Sequence, residues 1–142
     1  MIYFDTSYIV RLYWADPGWM TVRELAATDH VACCLHGRVE TIAALHRKYR
    51  DGHASSKTFR ILMEQFEEDC NHGGFTWLPY SPVLVSRLAA QYLAASPKIF
   101  LRTGDAIHLA CAALNGFQAI YSNDVHLLKA APHFGIKGLD VI

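Results

Sequence analysis

Short apolar runs alternate with longer segments of helical spacing along the whole chain. Apolar runs at 1–4, 31–35, 75–78 and 118–121 predict buried strands, and 138–142 predicts a terminal edge strand. Between them, apolar residues recur every three or four positions, as in the run of Phe59, Leu62, Met63 and Phe66, which is typical of an amphipathic helix. This alternation favours an α/β fold with a mainly parallel sheet covered by helices on both faces.

Capping and turn residues set the predicted helix boundaries. We expect Thr6 or Ser7 to cap a helix that runs to about residue 14, and Ser55 or Ser56 to cap another. Pro82 follows Ser81 and suits the first turn of a further helix, because that position has no partner for a backbone N–H. The spacing also predicts a helix over residues 103–114.

Length and composition indicate one compact domain. The 142 residues are 52% hydrophobic and 18% charged, so we expect a single domain over residues 1–142 with a substantial core. The sequence has no apolar stretch of membrane-spanning length and no signal-peptide pattern, which predicts a cytoplasmic protein with no membrane partner. Four cysteines without a Cys-x-x-Cys pair predict buried thiols instead of a zinc site.

The charge of the chain is balanced overall but uneven locally. Thirteen basic residues face thirteen acidic ones, which argues against broad electrostatic attraction to nucleic acid. One short stretch is nevertheless strongly basic, with Arg47, Lys48, Arg50, Lys57 and Arg60 and only one acid among them. Solvated helix faces and a patch that faces a polyanion explain this stretch equally well.

Four carboxylates lie where a predicted strand gives way to a helix. They are Asp5, Glu40, Asp105 and Asp124. Strand-to-helix junctions of a doubly wound sheet open onto one edge, so we expect these acids to lie together. As an alternative, Asp105 and Asp124 are helix-capping residues only, because an anion is favoured at a helix N-terminus.

Four acids at one edge repel one another unless a cation neutralises them. Hard oxygen ligands without paired histidine or cysteine suit Mg²⁺ or Mn²⁺. One or two such ions activate water and stabilise the leaving oxygen of a phosphodiester, so the hydrolysis of phosphodiesters is the favoured chemistry. The sequence therefore predicts a metal-dependent active site.

Four motifs in order along the chain resemble a PIN-domain protein, and most closely the VapC-type ribonuclease toxins. The motifs are Ile2-Tyr-Phe-Asp-Thr-Ser7, Arg38-Val-Glu-Thr41, Leu101-Arg-Thr-Gly-Asp-Ala-Ile-His-Leu-Ala110 and Tyr121-Ser-Asn-Asp-Val-His-Leu-Leu128. The resemblance implies a three-layer fold with a five-stranded parallel sheet between helices. It also implies an Mg²⁺- or Mn²⁺-dependent endoribonuclease, the toxin of a type II toxin–antitoxin system.

The same resemblance assigns site residues and partners. Asp5, Glu40, Asp105 and Asp124 match the metal-site acids of the family, and they are expected to be both catalytic and metal-binding. Ser7 and Ser122 match the small polar positions beside the metal, while Thr6 and Asn123 are weaker candidates. The implied partners are an RNA substrate, a second copy of the chain in a homodimer, and a cognate antitoxin whose tail covers the acidic pocket.

Two other classes of function compete with this interpretation. A phosphoacceptor domain lacks support, because it needs an acceptor aspartate after the third strand and that strand ends without an acid. A haloacid-dehalogenase-like phosphatase lacks support, because it needs an aspartate two residues after Asp5, where this chain has Ser7. A non-catalytic PIN-like module that binds RNA or protein stays open, although all four acids are present.

Several histidines, aromatic residues and arginines have no firm assignment. His36 and His108 are interpreted as an ordinary and a packing histidine, and His126 as a weak candidate for substrate contact. Trp14, Trp19 and Trp77 are expected in the core more than on RNA bases. The arginines near the acidic junctions are phosphate-binding or simply solvent-facing, and they are Arg11, Arg38 and Arg102.

Overall fold

The computed structural model describes residues 1–142 as five strands and seven α-helices. The strands are β1 (Ile2–Tyr3), β2 (Val31–Cys34), β3 (Thr76–Leu78), β4 (Ala119–Tyr121) and β5 (Lys137–Leu139). The helices are α1 (Thr6–Tyr13), α2 (Trp19–Ala26), α3 (Leu35–Arg50), α4 (Ser56–Asn71), α5 (Pro82–Ala94), α6 (Thr103–Leu114) and α7 (Val125–Ala130), and a 3₁₀ turn follows at Ala131–Phe134. None of these helices is both long and apolar enough to cross a bilayer.

All strand pairs are parallel, as predicted. β1, β2 and β3 form a three-stranded sheet with β2 in the middle, and β4 pairs with β5. A single parallel bridge between Phe4 and Tyr121 joins the two parts, and the backbone N–H of Asp5 donates to the carbonyl of Tyr121 at 3.0 Å. The five predicted strands are therefore present, but the expected continuous five-stranded sheet is a three-stranded and a two-stranded part.

The sheet lies between two hydrophobic clusters, which confirms the three-layer α/β class. Successive side chains of a strand point to opposite faces. Accordingly Tyr3 and Cys34 join the cluster that contains α6, while Phe4 and Cys33 join the cluster that contains Phe66 of α4. The core thus holds the strand ends rigidly from both sides.

The cap of the first helix lies one residue earlier than predicted. Asp5 caps α1, because its side chain accepts a hydrogen bond from the N–H of Tyr8, so the expectation of Thr6 or Ser7 as the cap is wrong. A carboxylate is as good an N-cap as a hydroxyl, and Asp5 has the extended backbone that a cap requires. Ser55 caps α4 and Ser81 caps α5, as predicted. The position of Asp5 is therefore fixed by the strand before it and the helix after it.

Candidate active site

The four predicted carboxylates line one cleft of about 780 Å³ at the carboxyl ends of the strands. Asp5 directly follows the β1–β4 bridge, and Asp124 lies three residues after the end of β4. Glu40 lies in the second turn of α3, and Asp105 lies in the first turn of α6. The strand-to-helix junctions thus bring together acids that are up to 119 residues apart in sequence.

Asp5 is almost fully buried and every oxygen of its carboxylate is hydrogen-bonded. Its Oδ1 accepts from the hydroxyl of Ser7 at 2.6 Å and from the N–H of Tyr8 at 3.2 Å. Its Oδ2 accepts from the hydroxyl of Ser122 at 2.6 Å. Burial raises the pKa of Asp5, although the nearby His108 and these hydroxyl donors oppose the rise. A buried carboxylate of this kind gains strongly from a bound cation.

The two predicted serines connect the carboxylates to one another. Ser122 is fully buried, and its oxygen also accepts the N–H of Asp124 at 2.9 Å, so it joins Asp5 to the start of α7. The oxygen of Ser7 accepts the N–H of Asn123 at 3.4 Å. Both hydroxyls therefore fix the geometry between Asp5 and the loop after β4.

Glu40 is held by three side chains from α1, α3 and α6. Its Oε2 accepts from the hydroxyl of Thr6 and lies 2.8 Å from Nε2 of His108, while its Oε1 lies 3.3 Å from Nε2 of His36. Burial alone would raise the pKa of Glu40, but the hydrogen bond and charge of His108, together with Thr6, lower it to about 2. Glu40 is therefore an anion with a fixed orientation.

His108 is part of this site, and the interpretation as a simple packing residue is wrong. It is buried, and its Nδ1 lies 3.2 Å from the hydroxyl of Tyr3 on the side away from Glu40. Burial alone would lower the pKa of His108, yet the pKa is raised well above its ordinary value by Cys33, Glu40 and Asp5 around it. The sequence signal was present, because His108 follows Asp105 by three residues and so shares its helix face.

Arg102 bridges the other two carboxylates. Its Nε donates to Asp105 at 2.7 Å, one terminal nitrogen donates to the second oxygen of Asp105 at 3.1 Å, and the same nitrogen donates to Asp124. Asp124 also caps α7 through the N–H groups of His126 and Leu127. Burial alone would raise the pKa of Asp124, but Arg102 and these N–H donors lower it. The capping interpretation of Asp124 is thus correct but incomplete, and Asp105 is not a cap.

The remaining candidates lie outside the acidic cluster or serve its support. Arg38 pairs with Glu67 at 2.6 Å and does not line the cleft. Arg11 is buried and donates to the carbonyls of Ser7 and Pro17, so it supports the loop after α1. His126 packs on the ring of Phe100 with 4.5 Å between ring centroids.

The donor set of the cleft fits a hard divalent cation. Three or more acidic, histidine or cysteine side chains are nowhere arranged as a ready-made metal cage. The guanidinium of Arg102 instead lies between Asp105 and Asp124, where it supplies the positive charge that these carboxylates need. Since the available ligands are carboxylate and hydroxyl oxygens, this donor set suits Mg²⁺ or Mn²⁺ better than zinc. The oxygens of Asp105 and Asp124 that would hold such a cation now accept hydrogen bonds from Arg102.

Comparison with known proteins agrees with the fold. The structure is similar to VapC20 of Mycobacterium tuberculosis, described as a Sarcin-Ricin loop cleaving toxin, with 19% identity, coverage of 92% of this chain and 95% of that chain, and a TM-score of 0.70. It is also similar to a chain of FitAB bound to an IR36 DNA fragment, with 14% identity, coverage of 99% and 94%, and a TM-score of 0.71. A search of curated proteins gave no significant match. The PIN domain family profile matches residues 2–132, and the chain therefore belongs to the PIN domain family.

Proposed function

We propose that this protein is an Mg²⁺- or Mn²⁺-dependent endoribonuclease, with residues 1–142 forming one nuclease domain, and that it is the toxin of a type II toxin–antitoxin pair. The observation that supports the proposal most strongly is the cleft in which acids from four separate motifs meet. Membership of the PIN family, whose members generally act as nucleases, and the likeness to a toxin described as cleaving the Sarcin-Ricin loop agree with it.

Asp5, Glu40, Asp105 and Asp124 are the residues that would hold the cation. When bound, a divalent cation polarises a phosphoryl oxygen and activates a water for attack on the phosphodiester. The protein's own contribution is orientation. Ser7 and Ser122 fix both oxygens of Asp5, and fixed ligands keep the reacting groups aligned without reorganisation.

Arg102 has a second role in this proposal. Its guanidinium holds Asp105 and Asp124 together and keeps the acidic cluster stable before a cation arrives. If these carboxylates held a cation instead, the N–H groups of Arg102 would be available to another anion. A guanidinium donates two parallel hydrogen bonds to phosphate oxygens, so Arg102 is suited to bind the phosphate that is cut.

We expect Arg102→Gln to tighten the binding of Mn²⁺. The exchange removes the guanidinium that competes with Mn²⁺ for Asp105 and Asp124. Each of these two partly exposed ion pairs is worth roughly 0.2–1 kcal/mol, so together they should raise the affinity for Mn²⁺ by roughly 2- to 30-fold. Isothermal titration with Mn²⁺ measures this directly. The control is Arg38→Gln, which breaks an ion pair with Glu67 outside the cleft. Equal or weaker binding by Arg102→Gln would show that Arg102 does not compete with the cation.

The test of the function is cleavage of a mixed pool of structured RNA with Mg²⁺ or Mn²⁺. We expect cutting that a chelator stops and that Asp105→Asn removes, whereas Asp29→Asn, which changes an acid paired with the N-terminus, retains it. The product ends should be 5′-phosphate and 3′-hydroxyl; 2′,3′-cyclic phosphate ends would contradict hydrolysis by water. Binding of RNA without cutting by folded, metal-loaded protein would favour the alternative, a non-catalytic PIN-like module.

The proposed partners are a second copy of the chain and an antitoxin. Several apolar side chains of α5 are exposed, with Leu93 90% and Val83 66% exposed, and exposed apolar surface is a feature of protein contacts. A homodimer through α5 would cover them, and light scattering should then give twice the 15.9 kDa of one chain. The acidic end of the cleft suits a basic antitoxin segment, whose addition should stop cleavage. We place the activity in the cytoplasm, where RNA substrates are found.

A further inference from the structure

The cleft continues beyond the carboxylates along one face of α3. Glu40, Ala43, Ala44, Arg47 and Lys48 all line it, and their spacing of three, four, seven and eight residues defines a single helix face. The two alanines in the middle leave the floor of the cleft free of large side chains. The strip of helix therefore joins the acidic cluster to a second end of the cleft, where Arg47 and Lys48 lie together with Asp16 and Asp51.

The second end of the cleft contains one cation that forms no ion pair and no side-chain hydrogen bond. Lys48 is held by Asp16 at 2.7 and 2.8 Å, Arg102 is held by two aspartates, and Arg11 donates to backbone carbonyls. Arg47 is exposed and forms neither an ion pair nor a side-chain hydrogen bond. Asp51 lies near it, and the pKa of Asp51 is lowered mainly by the hydrogen bond from Arg50 and to a smaller degree by the charge of Arg47. Arg47 is therefore the only arginine or lysine of the cleft whose donors are all available to a ligand.

The distance between the two ends matches the spacing of nucleic-acid phosphates. Arg47 follows Glu40 by seven residues, which at 1.5 Å per residue places it about 10 Å further along the helix axis. Stacked nucleotides advance by about 3.4 Å each, so about three of them cover this length. A strand whose scissile phosphate lies at the acids thus has another phosphate near Arg47.

We propose that Arg47 binds the backbone phosphate of an RNA nucleotide about three positions from the scissile phosphate. The inference rests on the proposed function, since it takes the acidic cluster as the place of cleavage. The inference also assigns different roles to the five residues of the basic stretch between residues 47 and 60. Arg47 serves the substrate, Lys48 and Arg50 are neutralised by Asp16 and Asp51, and Lys57 and Arg60 on α4 lie outside the cleft.

The experiment measures the affinity for a labelled single-stranded RNA of mixed sequence by fluorescence anisotropy, with Asp105→Asn as the background so that the probe stays intact. Each phosphate contact to a single strand contributes a slope of about 0.7 to the dependence of log affinity on log salt. Between about 50 and 200 mM KCl, Arg47→Ala should reduce this slope by about 0.7, and Arg47→Lys should restore it. The matched control is Arg60→Ala, which removes an exposed and unpaired arginine outside the cleft.

A second measurement follows cleavage with Mn²⁺ in proteins that retain the native Asp105. Arg47→Ala should raise KM by roughly tenfold with little change in kcat, because a remote phosphate contact is made equally in the bound substrate and in the transition state. Equal effects of Arg47→Ala and Arg60→Ala on slope and KM, or no RNA binding by any of the proteins, would overturn the inference. A loss of salt slope in Arg47→Ala alone, without cleavage by any of the proteins, would support the phosphate site and refute the nuclease. Cleavage by a protein whose salt slope does not depend on Arg47 would support the nuclease and refute the phosphate site.

Discussion

Asp5→Asn is expected to abolish RNA cleavage and to weaken the binding of Mn²⁺ while the protein stays folded. Asp5 is the most buried of the four acids, and its two oxygens are fixed by Ser7 and Ser122. An amide is a poor ligand for a divalent cation and leaves the charge of that cation uncompensated in a buried place. The contribution of a metal to phosphoryl chemistry is several kcal/mol, so we expect a loss on the order of 10³-fold in kcat/KM.

The stability of Asp5→Asn separates this loss from unfolding. The variant keeps an oxygen that can accept the N–H of Tyr8, and asparagine is as good a helix cap as aspartate. Burial raises the pKa of Asp5, which means that the ionised carboxylate is less favourable in the folded protein than in the unfolded chain. Because the exchange removes that buried charge, the metal-free variant should be at least as stable as the metal-free wild type. Urea unfolding in a chelator measures the free energy of unfolding of both. The control is Asp140→Asn, which changes the acid that accepts from the hydroxyl of Tyr8 and lies outside the cleft lining.

Two results would contradict this account. Full cleavage by Asp5→Asn would show that Asp5 is only the cap of α1. A metal-free variant that unfolds at much lower urea would show that the charge of Asp5 stabilises the fold, and the lost activity would then say nothing about the metal.

The sequence predicts most of the fold because local signals determine it. Short apolar runs, serine caps and the alternation of strand and helix depend on neighbours along the chain, and Ser55, Ser81 and the helix over 103–114 follow from them. The weak connection between β1 and β4 was not predictable in this way. It depends on the packing of two short strands that are far apart in sequence, and their pairing consists of the bridge between Phe4 and Tyr121.

The sequence predicts the acids of the cleft but not their partners. Strand ends in a parallel sheet meet at one edge, which is a rule of topology, so Asp5 and Asp124 follow from pattern alone. The bridge from Arg102 to Asp105 and Asp124 depends on the rotamer of a long side chain, and no local pattern fixes that rotamer. Likewise, the pairing of His108 with Glu40 joins two helices that are 68 residues apart in sequence.

His108→Leu is expected to destabilise the protein by about 2–4 kcal/mol and to loosen the hold on Glu40. The imidazole lies between Glu40 and the hydroxyl of Tyr3, and leucine bonds to neither. A buried group that loses its partner costs about 1–3 kcal/mol. Two groups lose a partner here, but Tyr3 still accepts the N–H of Cys34 and Glu40 still accepts from Thr6, so we expect the lower part of that range, about 1–2 kcal/mol, for each. For a chain of this length the midpoint of thermal unfolding should fall by roughly 5–15 °C, measured by circular dichroism in a chelator.

A second readout distinguishes the orientation of Glu40 from stability alone. Groups that orient a metal ligand typically contribute roughly 10- to 100-fold to metal affinity, so His108→Leu should weaken Mn²⁺ binding by that factor at a temperature where it is fully folded. His108→Gln retains an N–H donor toward Glu40 and should recover most of the affinity even if it recovers less stability. The matched control is His126→Leu, on the exposed side chain beside Phe100. If folded His108→Leu bound Mn²⁺ like the wild type, His108 would serve the core only, and Glu40 would be oriented by Thr6 and His36 without it.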